Sequence, residues 1–217
     1  MPGDSQSDST TKPLRLVLAS SNPGKLREYR ELADSRIEIE LMPDFDRLAP
    51  FDESAPTFAE NSAGKALYYS RHTPEIVLAD DSGLVVPALG GAPGVHSARY
   101  AGPKATDAER YTKLLNEMAE MEGDLRRAYF VCVTSIAKGR RVLAIASDRA
   151  DGFIAHEPRG SGGFGYDPVF LFPQFEKTYA ELTRLEKNQY SHRGKAFRKI
   201  ADILERISSR IKSGNSF

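Results

Sequence analysis

An α/β fold on a mixed sheet is what this sequence predicts, and three observations carry it. Short apolar runs alternate with helical patterns in the first half. Two long β-like runs joined by a turn follow in the second half. The chain then closes on an amphipathic helix, in which Phe197, Ile200, Leu204, Ile207 and Ile211 form one stripe.

The elements follow in order. Leu14 to Ala19 is an apolar run ended by the turn formers Ser20-Ser21-Asn22-Pro23-Gly24. Lys25 to Ala33 reads as a helix, since Leu26, Tyr29, Leu32 and Ala33 recur at spacings of three and four. A strand is expected from Ile37 to Met42, then an acidic loop over residues 43–56. Thr57 and Glu60 have the spacing of a capping box, so a helix should open there and run to about Arg71. Ile76 to Ala79 is a compact strand running into Asp80-Asp81-Ser82-Gly83, an acidic segment at its end. Thr106 and Glu109 repeat the capping spacing before a helix to Met121. Strands are predicted for Ala128 to Ala137 and Arg141 to Ser147, joined at Lys138-Gly139-Arg140. Asp151 to Glu157 extends the sheet, and Val169 to Phe172 is a further strand.

No repeat or linker divides the chain, so residues 14–217 are expected to form one domain behind a disordered polar tail, residues 1–13. With 30 basic and 30 acidic residues the formal net charge is zero, which argues against a protein that lives on nucleic-acid backbone electrostatics. Cys132 is the only cysteine, so no intrachain disulfide can form, and its apolar setting reads as a buried, inert thiol. No signal-peptide-like region opens the chain and no run of 18 apolar residues occurs, so a soluble cytoplasmic protein is expected, with no membrane partner.

Five segments carry candidate chemistry. Ser20 to Lys25 lies between strand and helix, where free helix N–H groups and the dipole suit an anion; the pattern is not a Walker A loop. On the next helix, Asn61 and Lys65 share a face. In Asp80-Asp81, neighbours on a strand point to opposite faces, so one aspartate is expected to enter a cleft and the other to matter far less. A carboxylate-only set suits a hard cation such as Mg²⁺ rather than zinc. The glycine-rich loop from Gly160 to Asp167 allows close approach to a ligand, and Phe164 offers a flat face for a base. Finally, Lys187 and Ser191-His192-Arg193 crowd cationic groups at a helix N-terminus against its dipole, which favours a bound anion or acceptor over simple capping by Ser191.

In order and detail these segments resemble the inosine triphosphate pyrophosphatase family, the non-canonical purine nucleoside triphosphate pyrophosphatases. The resemblance runs from about Leu16 to Leu204. It is carried by LASSNPGK, FAENSAGKA, ADDSGLVVPALGGAPGVHSARYAG, GSGGFGYDP and KNQYSHRG. It implies an elongated mixed sheet with flanking helices, two lobes around a central cleft, and a homodimer. The implied reaction is hydrolysis of ITP, dITP or XTP to monophosphate and pyrophosphate, with Mg²⁺. By the same resemblance, Ser20, Ser21, Asn22, Pro23, Gly24 and Lys25 hold the triphosphate, with Lys65 beside them. Asp81 is the catalytic base and a metal ligand, Glu53 a second metal ligand with Asp52 or Glu60 as alternatives in that role, and Ser82 a substrate contact. Phe164, Gly165, Tyr166 and Asp167 form the base-binding loop, with Phe164 stacked on the purine. Lys187, His192 and Arg193 complete the substrate contacts, and a donor from His192 or Arg193 near purine O6 would favour 6-oxo purines over ATP. Ser21 stands where relatives commonly carry glycine. The competing readings are a Maf-like pyrophosphatase, which begins with a similar phosphate segment, and a catalytically silent nucleotide sensor on the same scaffold.

Overall fold

The computed structural model describes residues 12–212. The disordered tail expected at residues 1–13 falls almost wholly outside them. Seven strands form one sheet in the order β2-β1-β3-β4-β5-β6-β7. β1 (Leu14–Leu18) pairs in parallel with β2 (Ile37–Leu41) and with β3 (Ile76–Val85). From β3 onward the pairing is antiparallel, through β4 (Arg127–Lys138), β5 (Arg141–Ile154), β6 (Phe170–Phe172) and β7 (Lys177–Thr178). The sheet is therefore mixed, as expected.

Alternation along the parallel strands sorts the helices onto two faces. Leu16, Leu18, Ile76 and Leu78 pack with Tyr29 of helix α1 (Pro23–Leu32) and with Phe197, Ile200 and Leu204 of α5 (His192–Lys212). Val17, Ala19, Val77 and Ala79 pack on the other side against Ala66 and Tyr69 of α2 (Phe58–Tyr69). A third apolar cluster joins Leu84, Phe130 and Phe170 to Leu114 and Met118 at the end of α3 (Asp107–Glu117). In α5 the predicted stripe holds through Leu204; Ile207 is half-buried, and the Ile211 side chain lies outside what is described.

The caps explain the helix boundaries. Thr57 accepts the Glu60 N–H at 3.2 Å, and Thr106 with Glu109 forms a full capping box. A short helix, α4 (Arg184–Tyr190), was not foreseen, although Thr183 and Glu186 repeat the same box. Between β4 and β5, Gly139 and Arg140 both have positive φ (55° and 68°), the geometry of a two-residue type I′ turn. The two strand fragments expected between residues 141 and 157 are one continuous strand, β5.

One correction positions the site. The strand expected to end as it reaches Asp80-Asp81-Ser82-Gly83 does not stop there; β3 continues through it to Val85 because β4 pairs with it residue for residue, Asp80 with Thr134 and Asp81 with Val133. On its other side, β3 is paired with β1 only through Leu78. The far end of that edge is covered by the 3-10 segment Gly94–Arg99, where Ser97 Oγ accepts the Leu84 N–H at 2.9 Å. Between these two covers, the middle of β3 borders an opening that both faces of the sheet reach. The cleft is there.

Candidate active site

A cavity of about 410 Å³ follows this open edge, within the size range of small-ligand sites. Ser20, Ser21, Asn22, Lys25, Glu53, Lys65, Asp81 and Ser82 line it, as do Phe164 to Asp167, Lys187, His192 and Arg193. Two of the predicted site residues stand apart. Pro23 is the first residue of α1 and lies at a separate surface hollow. Gly24 faces Phe164: a Cβ there would come within 2.7 Å of the ring, so the absent side chain is what lets the loop approach α1.

At the α1 turn, Ser20 Oγ accepts the Asn22 N–H (3.1 Å), and Asn22 Oδ1 accepts the N–H groups of Gly24 (2.8 Å) and Lys25 (3.3 Å). The helix N–H groups that the sequence offered to a phosphate are thus engaged by an N-cap, and Lys25 with the serine hydroxyls is what the turn presents to the cleft. Ser21 is absent from the positive-φ residues, so serine in place of glycine imposes no backbone strain.

Asp80 and Asp81 do point to opposite faces, but neither is idle. Asp81, on the α2 side, accepts a hydrogen bond from Asn61 Nδ2 at 3.0 Å. Burial raises its pKa above the ordinary carboxylate value, with Lys25 and Lys65 pulling against that and the Glu53 carboxylate adding to it. Asp80 is fully buried on the α1–α5 side, 3.0 Å from Lys25 Nζ and 3.1 Å from Arg193. Burial opposes its charge, yet Lys25 and Arg193 carry its pKa well below normal. Asp80 faces away from Asp81, as expected, and there it is the counter-charge of two cleft cations.

The network extends further. Glu28 of α1 binds both Lys187 Nζ (2.7 Å) and Arg193, while Lys187 also reaches Asp167. Three carboxylates thus face three cations, Lys25, Lys187 and Arg193, in a water-poor interior. Burial works against the charge on Lys187, but Asp167 and Glu28 raise its pKa above the usual lysine value. The crowding of cations at the start of α5 is compensated by these acids from distant segments, so crowding alone is no sign of a missing ligand. Arg193 donates Nε to Asp80, one amino group to Glu28, and the other to both Asp80 and Ser82 Oγ. That engages four of its roughly five N–H donors, so the guanidinium cannot make a two-pronged contact with a base edge while this network stands.

His192 is buried with its ring stacked on Phe130, centroids 4.7 Å apart and planes 10° from parallel. Burial, then Arg193 and Lys187, hold its pKa well below normal, so it is a neutral imidazole whose Nδ1 has no partner among the described residues. The Phe164 ring lies beneath Lys187 Nζ (5.1 Å) and the Arg193 guanidinium (5.5 Å), a cation–π arrangement. Cys132 is buried behind the cleft beside Asp80, with its thiol pushed up to about 12. It is buried, as expected.

Glu28, Phe130, Asp107 and Arg110 escaped the sequence reading. Glu28 had one signal: an acid on the apolar side of α1, one residue before the core Tyr29. The other three reach the cleft only through tertiary packing.

This arrangement of fold and cleft defines a class. The chain matches the Ham1 family over residues 16–203 and belongs to it. It is similar to the dITP/XTP pyrophosphatase of Geobacillus kaustophilus, 48% identical over 88% of this chain and 95% of that one. It is also similar to the dITP/XTP pyrophosphatase of Thermus thermophilus, 46% identical over 87% of this chain and 91% of that one. Among solved structures, a HAM1 protein from Coxiella burnetii superposes with a TM-score of 0.79 at 42% identity, covering 89% of this chain and 99% of that one. The Staphylococcus aureus Ham1 protein gives 0.77 at 36% identity, covering 88% and 98%. These likenesses agree with the family resemblance in the sequence and lend nothing to the Maf-like alternative.

Proposed function

We propose that the chain hydrolyses non-canonical purine nucleoside triphosphates, dITP, ITP and XTP, to the monophosphate and pyrophosphate. The observation that carries this is one buried carboxylate of raised pKa, Asp81, bordered by Lys25 and Lys65 in a cleft large enough for a nucleotide. The family and the named relatives support the same reading.

The triphosphate lies toward Lys25, Lys65 and the serine hydroxyls, whose charges and donors offset its own. The base lies toward Phe164 and Tyr166. A raised pKa makes Asp81 a stronger base for taking a proton from water. The water oxygen bonds to the α-phosphorus, the bond to the bridging oxygen breaks, and the electron pair leaves with pyrophosphate. Asn61 holds the Asp81 carboxylate in place for that transfer.

Mg²⁺ fits the donors present. Asp81 and Glu53 both line the cleft, and the Glu53 carboxylate raises the cost of the charge on Asp81, which a cation would relieve; Glu53 meanwhile rests on Lys65 Nζ at 2.6 Å. No group of three His, Cys, Asp or Glu suited to a metal occurs among the described residues. Two carboxylates plus phosphate oxygens are nonetheless the usual magnesium set. When bound, the ion supplies charge neutralisation and a more acidic water.

No helix among the described residues is long and apolar enough to cross a membrane, and a cytoplasmic homodimer acting on free nucleotides is the setting we infer from the family resemblance. Light scattering tests the dimer: a fully active particle near 24 kDa counts against it. The activity is tested by pyrophosphate release from dITP, ITP, XTP, GTP, ATP and UTP, with and without Mg²⁺. Release from the first three only, and only with the metal, is expected. No release from any of them would leave the nucleotide-sensor reading in its place.

A further inference from the structure

The glycine-rich loop that faces the base is fastened from outside itself. Its Phe164–Gly165 peptide is held at both ends: the carbonyl accepts the Asp167 N–H (3.3 Å), and the Gly165 N–H donates to Asp107 Oδ2 at 2.7 Å. Gly165 sits at φ +66°, so this peptide adopts a conformation that few other residues would stabilise on their own. Asp107 is the first residue of α3, where an acid often serves the helix end. Here that duty is already discharged, because Thr106 accepts the Glu109 N–H and the Glu109 carboxylate accepts from Thr106. The Asp107 carboxylate instead reaches 58 residues along the chain to the loop. Its other oxygen is gripped by Arg110, whose guanidinium also donates to the Ala105 carbonyl. Arg110 thereby fixes the carboxylate so that one oxygen always faces Gly165. Both side chains line the cleft.

We propose that Asp107, oriented by Arg110, is a positioning residue that latches the Phe164–Tyr166 loop into the geometry that receives the purine. The inference rests on the reading that this side of the cleft takes the base. Two further ties act on the same loop: Tyr166 donates to the Ser97 carbonyl (2.9 Å), and Phe164 N–H donates to Asp167 (2.8 Å). They hold the loop's flanks, whereas Asp107 is the side chain from outside the loop that takes the N–H of the Phe164–Gly165 peptide at the cleft wall.

The test compares ITP hydrolysis with competitive inhibition by inorganic tripolyphosphate, a probe with no base. Asp107→Ala is expected to raise KM for ITP by about 5–30-fold, the loss of a charge-assisted hydrogen bond. The effect on kcat should be smaller, and tripolyphosphate inhibition should stay within about 2-fold of wild type, since the phosphate side does not depend on the latch. Asp107→Asn keeps one acceptor for two donors, the Arg110 guanidinium and the Gly165 N–H, and should restore only part of the affinity lost in Asp107→Ala. Arg110→Met frees the carboxylate to rotate and should raise KM by a smaller factor, about 2–5-fold. A wild-type KM in Asp107→Ala overturns the latch. Equal weakening of ITP and tripolyphosphate also overturns it, by showing a general structural role. Phe164→Ala in the same assay separates the two readings. If Phe164→Ala weakens ITP selectively and Asp107→Ala does not, only the latch falls. If Phe164→Ala leaves ITP untouched, the base-side assignment falls and takes the latch with it.

Discussion

Asp80 and Asp81 are adjacent in the chain and differ in what a charge-neutral replacement removes. Asp81→Asn keeps shape and the Asn61 contact but loses the base, and should lower kcat by at least ~10²-fold in single-turnover hydrolysis of ITP. A near wild-type rate would sink its role. Asp80→Asn leaves Lys25 and Arg193 short of a buried partner. Breaking such a pair typically costs about 3–5 kcal/mol, so this variant should lose both stability and substrate affinity, seen as a lower urea midpoint and a higher KM. For Arg193, alanine is a poor probe because it strands Glu28 and Asp80 together. Arg193→Lys keeps the charge and removes the planar fork. If an Arg193 N–H reads the 6-oxo edge, the ITP-to-ATP ratio of kcat/KM should fall by roughly 10-fold, while ITP-to-GTP stays level because guanine shares that oxygen. Equal losses for ITP and ATP would make Arg193 a strut of the cleft and no reader of the base.

At the scale of elements, capping and periodicity carried most of what the sequence disclosed. Thr57, Thr106 and the 138–141 turn each spell out a boundary in local chemistry, and all three hold. The differences at the cleft have one cause, tertiary context. Asp80 to Gly83 reads as the end of a strand because acids and glycine are poor strand formers, but pairing with β4 keeps the strand going. Likewise the motif segments named the cleft's walls, whereas Glu28, Asp107 and Arg110 owe their roles to which helix lands beside which loop, and one chain's local pattern does not contain that. Arg126 is a structural example. Its buried guanidinium donates to the carbonyls of Met118, Met121, Ile154 and Ala155, tying the end of α3 to the end of β5. Arg126→Met keeps most of the bulk and orphans those carbonyls, and should cost about 2–4 kcal/mol in urea unfolding. An unchanged midpoint would show that water replaces the guanidinium without loss.

For the molecule as a whole, the buried ionisable groups set how stability follows pH. His192 is held neutral by burial, so its pKa is depressed in the folded state. Its contribution is complete above the unfolded histidine pKa of about 6.5 and is lost as pH falls below it, because the unfolded chain then binds a proton that the folded one refuses. Asp80 and Glu28 are also depressed, despite burial, by Lys25, Lys187 and Arg193. Their contribution is complete above the unfolded carboxylate values of about 4 and is lost as pH falls further, offset in part by Asp81 and Asp167, whose burial raises their pKa values and gives the opposite sign. Acid should therefore weaken the fold in two stages, and His192→Asn should flatten the first; urea midpoints between pH 7.5 and 3.5, chosen to span both stages, would reveal a single stage if the account is wrong. The same network bears on how the chain is made. Glu28 and Arg193 are 165 positions apart, and Lys187 lies almost as far from its partner. During synthesis, α1 emerges with its acid long before the basic segment has left the ribosome. A nascent chain lacking the last helix has neither a neutralised Glu28 nor a finished cleft. Catalytic competence should appear abruptly once α5 has emerged, and a ribosome stalled short of α5 should display a protease-sensitive chain, however complete its earlier strands.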